Sequence, residues 1–190
     1  MRELLFIRPL ETLVVLDRLE ASGDAIPAEK VEKTFLLHFT HEPQLKAANA
    51  ALAVNGDQAL QAATLVPGNC EYKIIDESKF EGRHGSPSFY QFRLEVNDKG
   101  QAQSYFLHVL HARDAKGADL EAQLTDDRDA WTVNLKHPTL GSACVVFKKG
   151  MDSSGGAFGY SATGVPSSRS PLRKGVQKIS VTDNGPVWHD

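Results

Sequence analysis

The chain reads Leu13-Val14-Val15-Leu16-Asp17-Arg18-Leu19 close to its first residue, an apolar run interrupted by two charged side chains. Because successive side chains of a strand point to opposite faces, Asp17 shares a side with Leu13 and Val15. The pattern predicts a strand that carries an acid inside an apolar layer. Burying a carboxylate there is costly unless a cation, a metal or several N–H donors meet it, so the sequence should also supply a partner.

His38 is the candidate partner of Asp17. It belongs to a second apolar run, Thr34-Phe35-Leu36-Leu37-His38-Phe39, and the segment 21–27 between the two runs has the composition of a turn. Two strands joined by such a turn would bring both side chains together. Carboxylate and imidazole are ordinary zinc ligands, although a zinc site needs at least three protein ligands. A buried Asp17 paired with His38 or with Arg18 is the alternative.

The composition indicates a folded protein without a broad charged surface. The chain has 190 residues, 41% of them hydrophobic, and a formal net charge of -3. This charge argues against nucleic-acid binding. No apolar stretch approaches the roughly 20 residues of a membrane span. The first residues, with Arg8 and Pro9 where an apolar region would be needed, do not form a secretory signal peptide.

Two cysteines, Cys70 and Cys144, are too few for a disulfide-stapled scaffold. Two buried thiols are favoured over one disulfide between them, which would require an oxidising compartment.

Short apolar runs separated by turn residues recur along the whole chain, with no long amphipathic helix. The predicted strands are Leu4–Ile7, Leu13–Leu19, Thr34–Phe39, Ala51–Val54, Ala59–Leu65, Lys73–Ile75, Tyr90–Val96, Ser104–His111, Leu120–Thr125, Trp131–Leu135, Ala143–Phe147, Ala157–Tyr160, Val176–Val181 and Val187–Trp188. This spacing predicts an all-β fold, a two-layer antiparallel β-sandwich, forming a single domain over 1–190.

Three local features refine this prediction. Asn55-Gly56 predicts a hairpin between Ala51–Val54 and Ala59–Leu65. The turn at 97–100 predicts that Ser104–His111 pairs with Tyr90–Val96. Leu4–Ile7 is apolar at every position, so a strand covered on both faces is expected. If upstream strands are missing, its open edge would make the chain prone to dimerise.

Other candidate site residues are histidines, aromatic residues and loop cations. His38 and His41, like His108 and His111, are spaced so that a strand would turn them to opposite faces, and His108 is expected to be a hydrogen-bonded sheet histidine. A sugar-stacking platform could be built from Trp131, Trp188, Tyr90, Tyr105 and Tyr160, although most aromatic residues of a sandwich are core. The loop cations that could meet an anionic polymer are Arg83, His84, Arg169, Arg173 and Lys174.

Several segments resemble the C-terminal β-sheet region of heparinase II/III-like polysaccharide lyases. They are Arg2–Pro9, Leu13–Leu19, Lys33–His38 with Glu42-Pro43, Ala143–Phe147, Gly175–Ile179 and Gly185–Trp188. The likeness extends over nearly the whole chain. It implies the C-terminal portion of a larger enzyme that cleaves uronic-acid-containing polysaccharide, such as glycosaminoglycan, by β-elimination.

The resemblance also implies a site and partners. The family's sheet domain holds zinc between two histidines and an aspartate, and Asp17 and His38 match the later two ligands. The set is incomplete unless His41, His108 or a neighbouring molecule completes it. The family's catalytic tyrosine and histidines have no counterpart here, so this chain is expected to lack catalysis by itself. The implied partners are an acidic polysaccharide and an upstream α/α-toroid domain, and the implied location is periplasmic or secreted.

Two other functions remain open from the residues. An autonomous carbohydrate-binding module is suggested by Trp131, Trp188 and the tyrosines. A structural or adhesion β-sandwich would need no chemistry beyond the fold.

Overall fold

The computed structural model describes residues 1–21, 26–79, 90–98, 100–162, 169–172, 178–182 and 185–189. The described elements are strands and two single 3-10 turns, at Arg8–Leu10 and Ala28–Lys30, so the predicted all-β fold is confirmed. The strands are β1 Arg2–Ile7, β2 Thr12–Glu20, β3 Lys33–Phe39, β4 Gln44–Ala47, β5 Ala50–Asn55, β6 Gln58–Val66, β7 Lys73–Asp76, β8 Phe92–Asp98, β9 Gln103–Asp114, β10 Glu121–Asp126, β11 Ala130–His137, β12 Gly141–Lys148, β13 Gly156–Ser161, β14 Ser170–Leu172, β15 Lys178–Thr182 and β16 Gly185–His189.

The chain divides into two compact units. The first contains Met1–Phe6 and Glu11–Gly117, and the second contains Ile7–Leu10 and Ala118–Asp190. The expectation of one domain over 1–190, the C-terminal portion of a lyase, stays a prediction.

The first unit is an antiparallel sandwich. A six-stranded sheet, ordered β1-β2-β9-β6-β5-β4, packs against a three-stranded sheet, ordered β3-β8-β7. Val15 and Phe106 come from the larger sheet, and they share one buried apolar cluster with Phe35, Leu94 and Val96 of the smaller sheet. Burial of these side chains is the main favourable term that holds the two sheets together.

The second unit contains a five-stranded antiparallel sheet, ordered β10-β11-β12-β13-β14, and the two-stranded pair β15-β16. Alternation along β11 buries Trp131, Val133 and Leu135. In β12, which pairs with β11, Val145 and Phe147 are buried as well. The period of two that marked these strands in the sequence therefore reflects a face that is covered in the structure.

The predicted hairpin at Asn55-Gly56 is confirmed. Strands β5 and β6 pair with Val54 opposite Ala59 and Asn55 opposite Gln58. Gly56 has φ +60, the left-handed conformation that glycine adopts without steric cost.

Two predictions about strand environment are wrong. β1 is not covered on both faces, because the side chains of Leu4 and Phe6 are 61% and 62% exposed. β8 does not pair with β9. It lies between β3 and β7, whereas β9 lies between β2 and β6, so the chain crosses from one sheet to the other after β8.

Candidate functional site: the Asp17 and His38 faces

Asp17 lies on the inward side of β2 and is buried, as the pattern predicted. Its partner is Arg2. The guanidinium Nε donates to Oδ1 at 2.6 Å and Nη2 donates to Oδ2 at 2.6 Å. Such a bidentate pair satisfies both carboxylate oxygens and is among the stronger hydrogen-bonded ion pairs in proteins.

A second ion pair joins the same two strands. Arg18, whose side chain is 0% exposed, donates from Nη1 to Oε1 of Glu3 at 2.5 Å. Glu3 and Arg18 alternate with Arg2 and Asp17 along their strands, so the two pairs lie on opposite faces. Together they fix the alignment of β1 against β2.

A pocket of about 410 Å³ opens beside Asp17. We call it the Asp17 pocket, and its walls are Met1, Arg2, Asp17, Arg18, Leu19, Thr34, Phe35, Leu36 and Phe106. Two of these walls, Arg2 and Arg18, are ion-paired with the carboxylates of Asp17 and Glu3.

His38 lies on the outward side of β3 and faces the solvent. Phe35 and Phe39 lie on the inward side of the same strand and are buried. Its side chain is 41% exposed, and its Nε2 lies 4.0 Å from Oε2 of Glu77. The ring of Tyr90 packs against the imidazole at a centroid distance of 5.9 Å and an angle of 57°. Tyr90 itself is 58% exposed, so it presents aromatic surface to solvent beside His38.

Charges of alternating sign continue across this outer face of the three-stranded sheet. Arg93 pairs with Glu77 and, at 2.9 Å from Nη2, with Oε1 of Glu95. Lys73 Nζ lies 3.8 Å from Oε2 of Glu95. These pairs join β8 to β7 and to Glu77 just after it, and Glu77 in turn approaches His38 on β3.

A second pocket, of about 270 Å³, opens beside His38. We call it the His38 pocket, and its walls are His38, Phe39, Thr40, His41, Ala53, Val54, Asn55, Gln58, Ala59 and Leu60. His38 and His41 both belong to this pocket, and the expectation that they face opposite sides does not apply to them, because β3 ends at Phe39 and strand alternation no longer governs His41. His38, His41, Asn55 and Gln58 therefore belong to the walls of one site.

The structure does not bring Asp17 and His38 together. They lie on strands of different sheets, they point to different faces and they line different pockets. The described part of the chain contains no group of three or more His, Cys, Asp or Glu side chains arranged to hold a metal ion. Since Arg2 occupies both carboxylate oxygens of Asp17, these residues as arranged do not fit zinc, and the zinc prediction rests on the resemblance alone.

Of the residues proposed for an aromatic platform, Trp131 is only 5% exposed and packs in the core, as most aromatic residues of a sandwich do, and not on an open stacking surface. Tyr160 donates its hydroxyl to the carbonyl of Leu140 at 2.6 Å. The side chain of Trp188 and the loop cations Arg83, His84, Arg173 and Lys174 lie outside the described residues, whereas Arg169 is exposed.

A buried polar network was not predicted from the sequence. Thr64 Oγ1 lies 2.9 Å from His108 Nδ1 and 2.9 Å from the hydroxyl of Tyr72. His108 is 1% exposed and stacks on Phe35 at a centroid distance of 3.6 Å, while its Nε2 has no hydrogen-bond partner among the described residues. His108 is thus a buried sheet histidine, as predicted.

Burial controls the protonation of this network. It lowers the pKa of His108 to about 3, and the positive charge of Arg2 adds to the shift, so the imidazole is neutral. Burial also raises the pKa of Tyr72 to about 12, against the opposing hydrogen bond from Thr64. Neither group is poised to exchange protons near neutral pH.

Both cysteines are buried free thiols, which confirms the favoured alternative. Burial raises the pKa of Cys70 and of Cys144, so neither carries the thiolate that nucleophilic chemistry requires.

No protein-family model matches this chain, and no curated protein sequence matches it. In the described part of the chain, no helix has the length and apolar character needed to cross a membrane.

Proposed function

We propose that this chain is the non-catalytic C-terminal β-sandwich portion of a heparinase II/III-like polysaccharide lyase, and that it holds acidic polysaccharide on the outer face of its three-stranded sheet. The observation that carries the proposal is the 58% exposed side chain of Tyr90, whose ring packs against His38, one of the walls of the His38 pocket. The all-β antiparallel fold agrees with the architecture that the resemblance implies.

The chemistry of this face suits a sugar chain. An exposed aromatic ring offers its face to the apolar side of a sugar, and imidazole and amide groups offer hydrogen bonds to hydroxyls and carboxylates. A pocket of about 270 Å³ lies near the small end of ligand sites, so it suits one sugar unit rather than a whole oligosaccharide. Binding would then extend along the neighbouring charged face, where Lys73 is 65% exposed.

The same features argue against catalysis by this chain alone. A general base must be able to exchange a proton near the working pH, but the buried His108 is held neutral, and both carboxylate oxygens of Asp17 already accept hydrogen bonds from Arg2. In the full enzyme, the upstream α/α-toroid supplies the catalytic residues and this sandwich forms one wall of the cleft. Such an enzyme acts in the periplasm or outside the cell.

Calorimetric titration with heparin-derived and hyaluronan-derived oligosaccharides tests the binding. We expect Tyr90→Ala to weaken binding about tenfold, which corresponds to the loss of one aromatic stacking contact. Leu45→Ala is the matched control, because Leu45 is 50% exposed on β4, in the other sheet. Equal binding by wild type and Tyr90→Ala, or no binding of any acidic oligosaccharide, would contradict the proposal.

The absence of catalysis is tested separately by incubating the chain with the same substrates and following unsaturated uronate products by their ultraviolet absorbance. We expect no product above the rate without protein. Rapid cleavage by these residues alone would overturn the non-catalytic part of the proposal and leave the binding part standing.

An autonomous carbohydrate-binding module is the second candidate, since the exposure of Tyr90 favours it equally. The two candidates differ in ligand charge. Binding of neutral glycans as tightly as acidic ones would favour the module, whereas a clear preference for uronate-containing chains favours the lyase domain.

A further inference from the structure

Strand β1 forms one edge of the six-stranded sheet and carries the most exposed apolar side chains of that sheet. Leu4 and Phe6 are 61% and 62% exposed, and both lie on the side of the strand that also carries Arg2. Natural edge strands usually prevent pairing with charged side chains. Here that protection is weak, because Arg2 and Glu3 are already bound by Asp17 and Arg18 of the neighbouring strand.

We infer that β1 pairs with β1 of a second copy of this chain, antiparallel and about a two-fold axis at Leu5, so that two six-stranded sheets join into one. The occupant of the edge is thus the same strand from another molecule. This interface is separate from the His38 face and goes beyond the proposed function.

The direction of the backbone groups supports this pairing. Met1 and Arg18 exchange backbone hydrogen bonds in both directions, at 2.7 and 2.8 Å, which marks a hydrogen-bonded antiparallel pair. Along β1 the odd-numbered residues therefore direct their N–H and C=O groups towards β2. The even-numbered residues, Leu4 and Phe6 among them, direct theirs to the other side of β1, where no described strand pairs with it and a second strand can receive them.

The side chains select the register. A two-fold axis perpendicular to the sheet places each side chain of one copy opposite a side chain of the other copy that points to the same face of the joined sheet. With the axis at Leu5, Leu4 of one copy lies opposite Phe6 of the other and Phe6 opposite Leu4, so all four exposed apolar side chains meet on one face. With the axis at Leu4 instead, Phe6 would face Arg2. The first register therefore pairs the exposed apolar side chains of β1 with one another, which the second does not.

Multi-angle light scattering over a series of protein concentrations tests the dimer. We expect the mass of wild type to approach twice 20.8 kDa as concentration rises. The double variant Leu4→Lys with Phe6→Lys should stay at the monomer mass, since both lysines would meet like charges across the axis. Leu45→Lys on β4, the opposite edge strand of the same sheet, is the matched control and should still dimerise.

Oxidative crosslinking tests the register and does not depend on how well the lysine variant folds. Leu5→Cys places two thiols at the axis, in a pair without mutual hydrogen bonds, where the Cα atoms come closest. We expect a disulfide-linked dimer from Leu5→Cys and much less from Leu45→Cys. A wild type that is monomeric at all concentrations, or one whose dimer survives the lysine pair, would overturn the inference, and stronger crosslinking through Leu4→Cys than through Leu5→Cys would overturn the register.

Discussion

Acidification is expected to destabilise this protein steeply, because His108 is buried in its neutral form. Its pKa falls from 6.5 in the unfolded chain to about 3 in the folded protein, so between these values the unfolded chain binds more protons. The stabilising contribution is complete above pH 6.5 and is lost progressively as the pH falls towards 3. The loss is about 1.4 kcal/mol of unfolding free energy per pH unit in that window.

Urea unfolding at several pH values measures this effect. His108→Leu removes the titrating group and leaves Thr64 hydrogen-bonded to Tyr72, so the dependence on pH between 6.5 and 3 should become flatter. His41→Leu, in an exposed position after β3, should keep the slope of wild type. If His108→Leu retained the full slope, the carboxylates would be the cause of acid sensitivity and the account of His108 would be wrong.

Removal of Glu3 is the second large effect that we expect. Glu3→Ala removes the carboxylate that pairs with Arg18, whose side chain is 0% exposed, and so breaks a buried ion pair from one side. Breaking a buried ion pair from one side costs about 3 kcal/mol of unfolding free energy. Glu20→Ala is the control, because Glu20 lies on β2, the strand that carries Arg18, and its hydrogen bond with Gln103 is exposed. The loss of unfolding free energy in this variant should stay below about 1 kcal/mol.

A double variant separates loss of the pair from loss of the fold. Glu3→Ala combined with Arg18→Met removes both charges and keeps an apolar stem in the buried position, so it should be more stable than Glu3→Ala alone. Unfolding by urea at neutral pH measures all of these variants. If Glu3→Ala were as stable as Glu20→Ala, the ion pair between Glu3 and Arg18 would not contribute to stability as a buried pair does.

The need for a partner at Asp17 could be predicted from the sequence, but the partner could not be chosen from apolar patterns alone. Arg2 lies opposite Asp17 because β1 and β2 form an antiparallel pair with a tight turn at Arg8–Leu10. Counting residues backwards along β1 and forwards along β2 from that turn would have placed Arg2 opposite Asp17. His38 could also have been set aside, since Phe35 and Phe39 occupy the alternate positions of β3 and mark the inward face.

The assignment of strands to sheets depends on contacts that local sequence does not encode. The turn at Asn55-Gly56 fixed a hairpin correctly, because a two-residue turn leaves its flanking strands no other arrangement. The connection between β8 and β9 looked similar, yet it carries the chain between two sheets. The network of His108, Thr64 and Tyr72 could not be predicted from the sequence for the same reason, since it joins residues that are far apart along the chain.

Backbone amide chemical shifts, recorded while a heparin-derived oligosaccharide is added, test the central claim most directly. The account predicts that perturbed amides cluster around His38, His41 and Tyr90, and that those around Leu45 on the other sheet stay unchanged. Saturating oligosaccharide without any shift at His38 or Tyr90, or shifts confined to the six-stranded sheet, would contradict it.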